Sequence, residues 1–184
     1  MSNFLIIGGK RGLSKALADQ IIEHKQEVFL VEREKWELQQ PITLLPFIQA
    51  FSGKHIIICA HIGFMIGEVL DLLIRNSEKS TNIMIIGSMV SETQRSYYYP
   101  YYLEKKNYDE VVRQFQLSNR ERSISIIKPG LIDTEAVQGK QGEKMAPSSA
   151  AKAILDLINI SERQKLNLIS VSFTANQKEN STDF

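Results

Sequence analysis

The chain has 184 residues, 43% of them hydrophobic and 23% charged, with 22 Lys and Arg against 21 Asp and Glu. That length suits one domain able to bury roughly 70% of its unfolded surface, so a core needs no disulfide or structural metal. A formal charge of +1 excludes the basic excess of a nucleic-acid binder, and high apolar content at low net charge excludes general disorder. The single Cys59 cannot form an internal disulfide, which fits a reducing cytosol. No apolar run approaches the roughly 20 residues of a membrane span. Met1-Ser2-Asn3 also lacks the charged lead of a signal peptide. The expectation is a soluble, cytoplasmic, single-domain protein.

Phe4–Ile7 opens the chain as a continuously apolar run, the pattern of a strand covered on both faces. It leads into Ile7-Gly8-Gly9-Lys10-Arg11-Gly12-Leu13-Ser14 and then an amphipathic helix over Leu13–His24, with Leu13, Leu17, Ile21 and Ile22 on one side. Glycines here permit a tight turn and let backbone N–H groups approach a pyrophosphate at a helix N-terminus. An ordinary strand-to-helix turn reads the same. No Gly-Lys-Ser/Thr closes the pattern, which excludes a Walker A loop. The second strand, Val28–Val31, ends at Glu32, placed as the ribose-hydroxyl acceptor of dinucleotide sites or as a plain surface acid.

Ile42–Leu45, between Pro41 and Pro46, is a candidate short strand. Strand His55–Cys59, helix Glu68–Arg75, strand Asn82–Ile86, helix Tyr101–Leu117, strand Ser123–Ile127, helix Ser148–Asn159 and strand Leu166–Val171 follow. The alternation predicts βαβ units and a doubly wound parallel α/β sheet over residues 1–175. The polar stretch 176–184 reads as a loose tail.

Ser88 follows the strand Asn82–Ile86, at the end where open α/β sheets place ligands. Tyr101 and Lys105 lie four apart, side by side on one helix face. Tyr titrates near 10, so proton transfer near neutrality needs a drop of roughly 2–3 pH units, about 3–4 kcal/mol. A neighbouring ammonium supplies part of it by favouring phenolate, and Ser88 can hydrogen-bond the reacting oxygen. Tyr102 and Lys106 have the same spacing. Counting from Tyr101 places Leu103, Tyr108, Val111 and Phe115 at packing positions; from Tyr102 the same offsets give Glu104, Asp109, Val112 and Gln116. The first register is preferred.

With these residues in place the chain resembles the short-chain dehydrogenase/reductase family. The matching segments are Gly8-x-x-x-Gly12-x-Ser14, Ala60-His61-Ile62-Gly63, Ser88, Tyr101-x-x-x-Lys105 and Pro129-Gly130-Leu131-Ile132-Asp133-Thr134, in the family's order. The resemblance implies a Rossmann-type sheet and an NAD(P)-dependent oxidoreductase interconverting a carbonyl and an alcohol on a small molecule. It implies Tyr101 as general acid or base, Lys105 as its partner and nicotinamide-ribose contact, and Ser88 as substrate orienter. Cofactor contacts fall on Gly8, Lys10, Arg11, Gly12, Leu13, Glu32, Arg33, Ala60, His61, Gly63, Tyr101, Lys105, Pro129, Gly130, Ile132 and Thr134. The helix bearing Tyr101 is implied as a subunit interface, hence a homodimer or homotetramer.

Four departures stand beside these matches. Ser14 replaces the third glycine, and Glu104 precedes Lys105 where the family has a small residue. Glu32 to Ser88 is shorter than in the family, which predicts a trimmed helix or loops. No Asn matches the family's fourth catalytic residue; substitution by His61 or another group, and an impaired relay, are both open. A redox-inactive dinucleotide-binding sensor or scaffold is therefore the alternative function. Cofactor choice leans to NAD(H) on Glu32, while Arg11 and Arg33 sit where NADP-preferring members are basic.

The cluster Tyr97-Tyr98-Tyr99-Pro100-Tyr101-Tyr102 reads as packing or pocket lining. Cys59 reads as a small hydrophobe. His24, His55 and His61 lack metal-ligand spacing, so no metal site is expected. Gln138–Lys144 reads as a substrate-covering lid or a solvated loop.

Overall fold

The computed structural model describes residues 3–37, 39–93, 97–164 and 170–174, and in it the alternating pattern becomes one parallel sheet. Strands β1 (Phe4–Gly8), β2 (Val28–Glu32), β3 (His55–Ile58), β4 (Asn82–Ile86), β5 (Ile124–Pro129) and β6 (Ser170–Phe173) lie in the order β2-β1-β3-β4-β5-β6. Every adjacent pair is parallel. The inner strands are apolar along their length because both faces are covered: β1, β3 and β5 are buried throughout and β4 at all but Asn82. The edge strands β2 and β6 mix exposed with half-buried positions. This is the doubly wound Rossmann-type architecture.

Helices α1 (Gly12–Glu23) and α5 (Pro147–Gln164) cover one face. There Leu17, Ile21, Ile154 and Ile158 meet Ile6, Ile57 and Ile127. Helices α2 (Leu45–Gln49), α3 (Ile66–Asn76) and α4 (Pro100–Ser118) cover the other, packing Ile48, Leu70, Leu73, Tyr108 and Val112 on Leu5, Ile56 and Ile85. Each fully buried Ile or Leu contributes roughly 1.5–3 kcal/mol, against roughly 0–1 for an exposed ion pair. The two apolar layers hold the sheet.

Several expectations shift. Ile42–Leu45 is not a strand: Pro41 opens a 3-10 turn over Pro41–Leu44, and α2 follows with Pro46 in its first turn. Proline fixes φ near the helical value and lacks an N–H that a ladder needs but a first turn does not. Between Glu32 and β3 the chain is trimmed to short helical pieces, Arg33–Lys35, Pro41–Leu44 and the five-residue α2. A six-stranded dinucleotide-binding sheet runs 3-2-1-4-5-6; here β2 is itself an edge. On α1, Ile22 is 60% exposed and Ser14 takes a buried place.

On α4 the buried positions are Lys105, Tyr108 and Val112, whereas Leu103 is 41% exposed. An i, i+2 step lies on the far side of a helix, so Leu103 cannot share the face of Lys105, and Val112 replaces it. The last strand runs Ser170–Phe173; most of the predicted Leu166–Val171, like the predicted tail 176–184, lies outside the described residues. No helix among the described residues is long and apolar enough to cross a membrane.

Candidate active site

From β1 the chain moves outward to β2, then crosses to β3 on the other side of β1. That reversal opens a crevice at the C-terminal strand ends, where doubly wound sheets bind ligands. A cleft of about 1280 Å³ occupies it, lined by Lys10–Lys15, Cys59, His61, Gly87–Val90, Tyr101, Lys105 and Pro129–Val137 among others.

The glycine turn is built by close packing. A Cβ on Gly8 would lie 2.3 Å from Ser14 Oγ, 2.9 Å from Ser14 Cβ and 3.2 Å from Cys59 Cβ. Gly12 sits at φ +58°, in the left-handed region that favours glycine. Helix α1 then starts with no side-chain cap and no acid in its first turn, leaving N–H groups directed at the cleft for an anion. Gly8→Ala is expected to cost about 1–3 kcal/mol by overpacking, read by urea denaturation. Ser14→Gly removes the two closest atoms, so the same substitution costs clearly less in that background. An equal penalty in both backgrounds would show that Ser14 does not close this position.

Ser88 caps the 3-10 turn Met89–Glu92, accepting from Val90 N–H at 3.3 Å, and also hydrogen-bonds Tyr101. Lys105, 4% exposed, donates to the Ile86 carbonyl at 3.4 Å. Its Nζ lies 4.0 Å from the Tyr108 ring centre and 5.7 Å from that of Tyr101. Burial pulls the Lys105 ammonium down to about 8, partly opposed by Glu104 and Asp109.

The Tyr101 phenol moves up from its ordinary value, against the drop expected from the sequence. Burial is the main cause, the Ser88 hydrogen bond opposes it, and Tyr99 and Glu104 add to it. The ammonium turns toward Ile86 and Tyr108, so it does not offset that burial. Tyr102 and Lys106 do not line the cleft, whereas Tyr101 and Lys105 do. Beneath them burial pushes the Cys59 thiol up to about 12, which leaves it protonated and unreactive at neutral pH.

Ion pairs frame the cleft. Lys10 pairs with Glu32 at 2.9 Å and Arg11 with Glu135 at 2.9 Å. Farther in, Lys128, 8% exposed, lies 2.9 Å from Glu92 and 3.6 Å from Asp109. Ser172 Oγ donates to Glu92 at 2.6 Å, and with Lys128 it holds that carboxyl below its usual range. The cluster ties the turn after Ser88 to α4, β5 and β6.

Of the residues singled out from sequence, the cleft gathers Lys10, Arg11, Gly12, Leu13, His61, Ser88, Tyr101, Lys105, Pro129, Gly130, Ile132 and Thr134. It does not gather Gly8, Glu32, Ala60 or Gly63. Gly8 is buried under the turn, and Ala60 packs in the core beneath α3 and α4. Gly63, at φ +59°, starts a 3-10 turn near Glu104. Arg33 lies in the 3-10 turn after β2.

The cleft also takes in Tyr99 and Lys140, from the aromatic cluster and the loop that the sequence offered as pocket lining and lid, and Glu135, which the sequence reading missed. Lys140 Nζ stands 5.7 Å from the Tyr101 ring centre, so the loop Gln138–Lys144 reaches the cleft. Two glycines at positive φ, Gly139 and Gly142, bracket its cleft residues Lys140 and Gln141.

No protein-family model matches the chain, and no curated protein matches it. Solved structures do. An alcohol dehydrogenase from the archaeon Thermococcus sibiricus, complexed with 5-hydroxy-NADP, is 15% identical over 98% of this chain and 100% of that one, with a TM-score of 0.73. A short-chain dehydrogenase from Burkholderia cenocepacia in complex with NADP is 14% identical over 94% of this chain and 89% of that one, TM-score 0.74. A short-chain dehydrogenase/reductase from Vibrio parahaemolyticus is 13% identical over 94% and 100%, TM-score 0.72. The chain has the short-chain dehydrogenase fold. In this chain β2 lies at the edge of the sheet, and His61 and Glu104 pair at 2.7 Å.

Proposed function

We propose that the protein is an NAD(P)-dependent oxidoreductase that interconverts a carbonyl and an alcohol on a small molecule. The observation that supports it most is the convergence of the uncapped α1 N-terminus, Ser88, Tyr101 and Lys105 on one cleft. The donor set fits a dinucleotide: open N–H groups for the pyrophosphate, and space for substrate besides. The nicotinamide, when bound, supplies the hydride. Tyr101 holds its proton at neutral pH and gives it to the reduced oxygen. Ser88 holds that oxygen by hydrogen bond, and the Lys105 ammonium, swung from the Ile86 carbonyl toward Tyr101, stabilises the phenolate left behind. Lys140 stands over the ring from the loop after β5. A cytoplasmic setting and a homodimer or tetramer through α4, where Leu103 and Leu117 are exposed, complete the reading.

A redox-inactive dinucleotide-binding protein is the second reading. The turn of Lys105 away from the phenol, with Tyr101 pushed up rather than down, favours it.

Both readings require dinucleotide binding. Ligand at about 100 times its dissociation constant stabilises by roughly 2.7 kcal/mol, an upward Tm shift of about 5–10 °C. No shift with millimolar NADH or NADPH contradicts both.

The lean to NAD(H) rested on Glu32 as a free acceptor, but its carboxylate comes with its own cation, Lys10. We therefore propose NADP(H), as two of the solved structures also hold NADP or its 5-hydroxy derivative. Lys10→Ala weakens NADPH binding by about five-fold, as an exposed charge contact would, and leaves NADH nearly unaffected. Glu32→Ala tightens NADPH. Fluorescence titrations showing wild type binding NADH tenfold tighter than NADPH would overturn this choice.

A further inference from the structure

Glu104 stands between Tyr101 and Lys105 on α4 and reaches the loop after β3, where its Oε2 lies 2.7 Å from His61 Nε2. The imidazole stacks on the Tyr101 ring, centroids 5.5 Å apart and planes 30° from parallel. Side-chain exposures of 46% for His61 and 22% for Glu104 leave the pair open to solvent protons on one side and against the phenol on the other. The other polar or charged groups facing Tyr101 are Ser88, Tyr99, Lys105 and Lys140. Among the described groups around the ring, Glu104 is the carboxylate, and its charge opposes phenolate. His61 touches both that carboxylate and the ring.

We propose that His61 and Glu104 are the positioning pair of Tyr101: the carboxylate orients the imidazole, the imidazole holds the phenol ring, and the pair's protonation decides how much negative field the phenol meets. Protonated, the imidazole offsets Glu104 and the phenol releases its proton more readily. Neutral, it leaves the carboxylate uncompensated and the proton is held. Tyr101 is thereby coupled to pH in the range where histidine titrates. The role of the pair rests on Tyr101 being the acid–base group proposed above.

The test uses the full chain without dinucleotide, labelled with ¹³C at the tyrosine Cζ and followed by NMR against pH. The Tyr101 resonance is assigned with Tyr101→Phe and the His61 imidazole with His61→Phe. The expected result is an inflection of the Tyr101 signal at the pH where His61 titrates. It is absent in His61→Phe, which keeps an aromatic ring but no charge. In Glu104→Gln, which keeps a hydrogen-bonding side chain, the His61 midpoint falls and Tyr101 ionises at a pH lower by about one unit, a tenfold change. Glu104→Asp restores the wild-type coupling in part. A Tyr101 signal flat across the His61 titration, with its ionisation unmoved in Glu104→Gln, overturns the proposal. Because no dinucleotide is needed, failure to bind one would contradict the functional reading while this coupling is still read.

Discussion

Tyr101→Phe is expected to lower carbonyl reduction by about 10²–10⁴-fold, the usual contribution of a positioned acid–base group. The variant keeps the ring that His61 stacks on and that Lys140 covers. It loses only the phenol proton and the hydrogen bond with Ser88, so stability falls by about 1 kcal/mol at most. The glycine turn and α1 N-terminus are untouched, and dinucleotide affinity changes little. Tyr102→Phe serves as the comparison because Tyr102 is outside the cleft lining. Steady-state rates with both variants decide the register: near-normal activity in Tyr101→Phe with loss in Tyr102→Phe would move the site by one residue.

Lys105→Met is expected to make the protein more stable and abolish its turnover. The ammonium is buried and titrates at about 8, against 10.5 ordinarily. The unfolded chain therefore keeps a proton that the native state releases between those two values. Charging the lysine costs the fold about 3 kcal/mol below pH 8; the cost fades as pH rises and is gone above 10.5. Methionine fills similar space without charge but gives up the contact of Nζ with the Tyr108 ring, worth up to about 2 kcal/mol. The net gain at pH 7 is about 1–3 kcal/mol, or roughly 2–4 °C in Tm for each kcal/mol. Urea denaturation of both proteins at pH 7 and pH 10.5 checks it. A difference that does not shrink at the higher pH would show that the lysine's charge is not its source.

The inner strands were legible because parallel strands covered on both faces leave runs such as Ile56-Ile57-Ile58, and apolar run length suffices to find them. The helical run 41–49 was not. Pro41 and Pro46 flank an apolar run that suits a short strand as well as two helical turns, and only packing of Leu44 and Ile48 into the core decides. At the site, that Ser88, Tyr101 and Lys105 would line one cleft was legible from their order and spacing. Their ionisation was not, because it depends on where Nζ points, and a spacing of four gives proximity without direction. Glu104 was visible as an oddity, but its partner lies 43 positions earlier (104 minus 61) on another element, beyond any local pattern.

The central claim is that the chain performs redox chemistry through Tyr101 rather than merely holding a dinucleotide. Single-turnover fluorescence of protein-bound NADPH, mixed with a panel of aldehydes and ketones, tests it most directly. The account predicts that at least one carbonyl extinguishes the bound NADPH signal with a stoichiometry of one per chain, and that Tyr101→Phe slows that decay at least a hundredfold. Bound NADPH that stays fully fluorescent with every carbonyl, in wild type as in Tyr101→Phe, would contradict it and leave the redox-inactive reading standing.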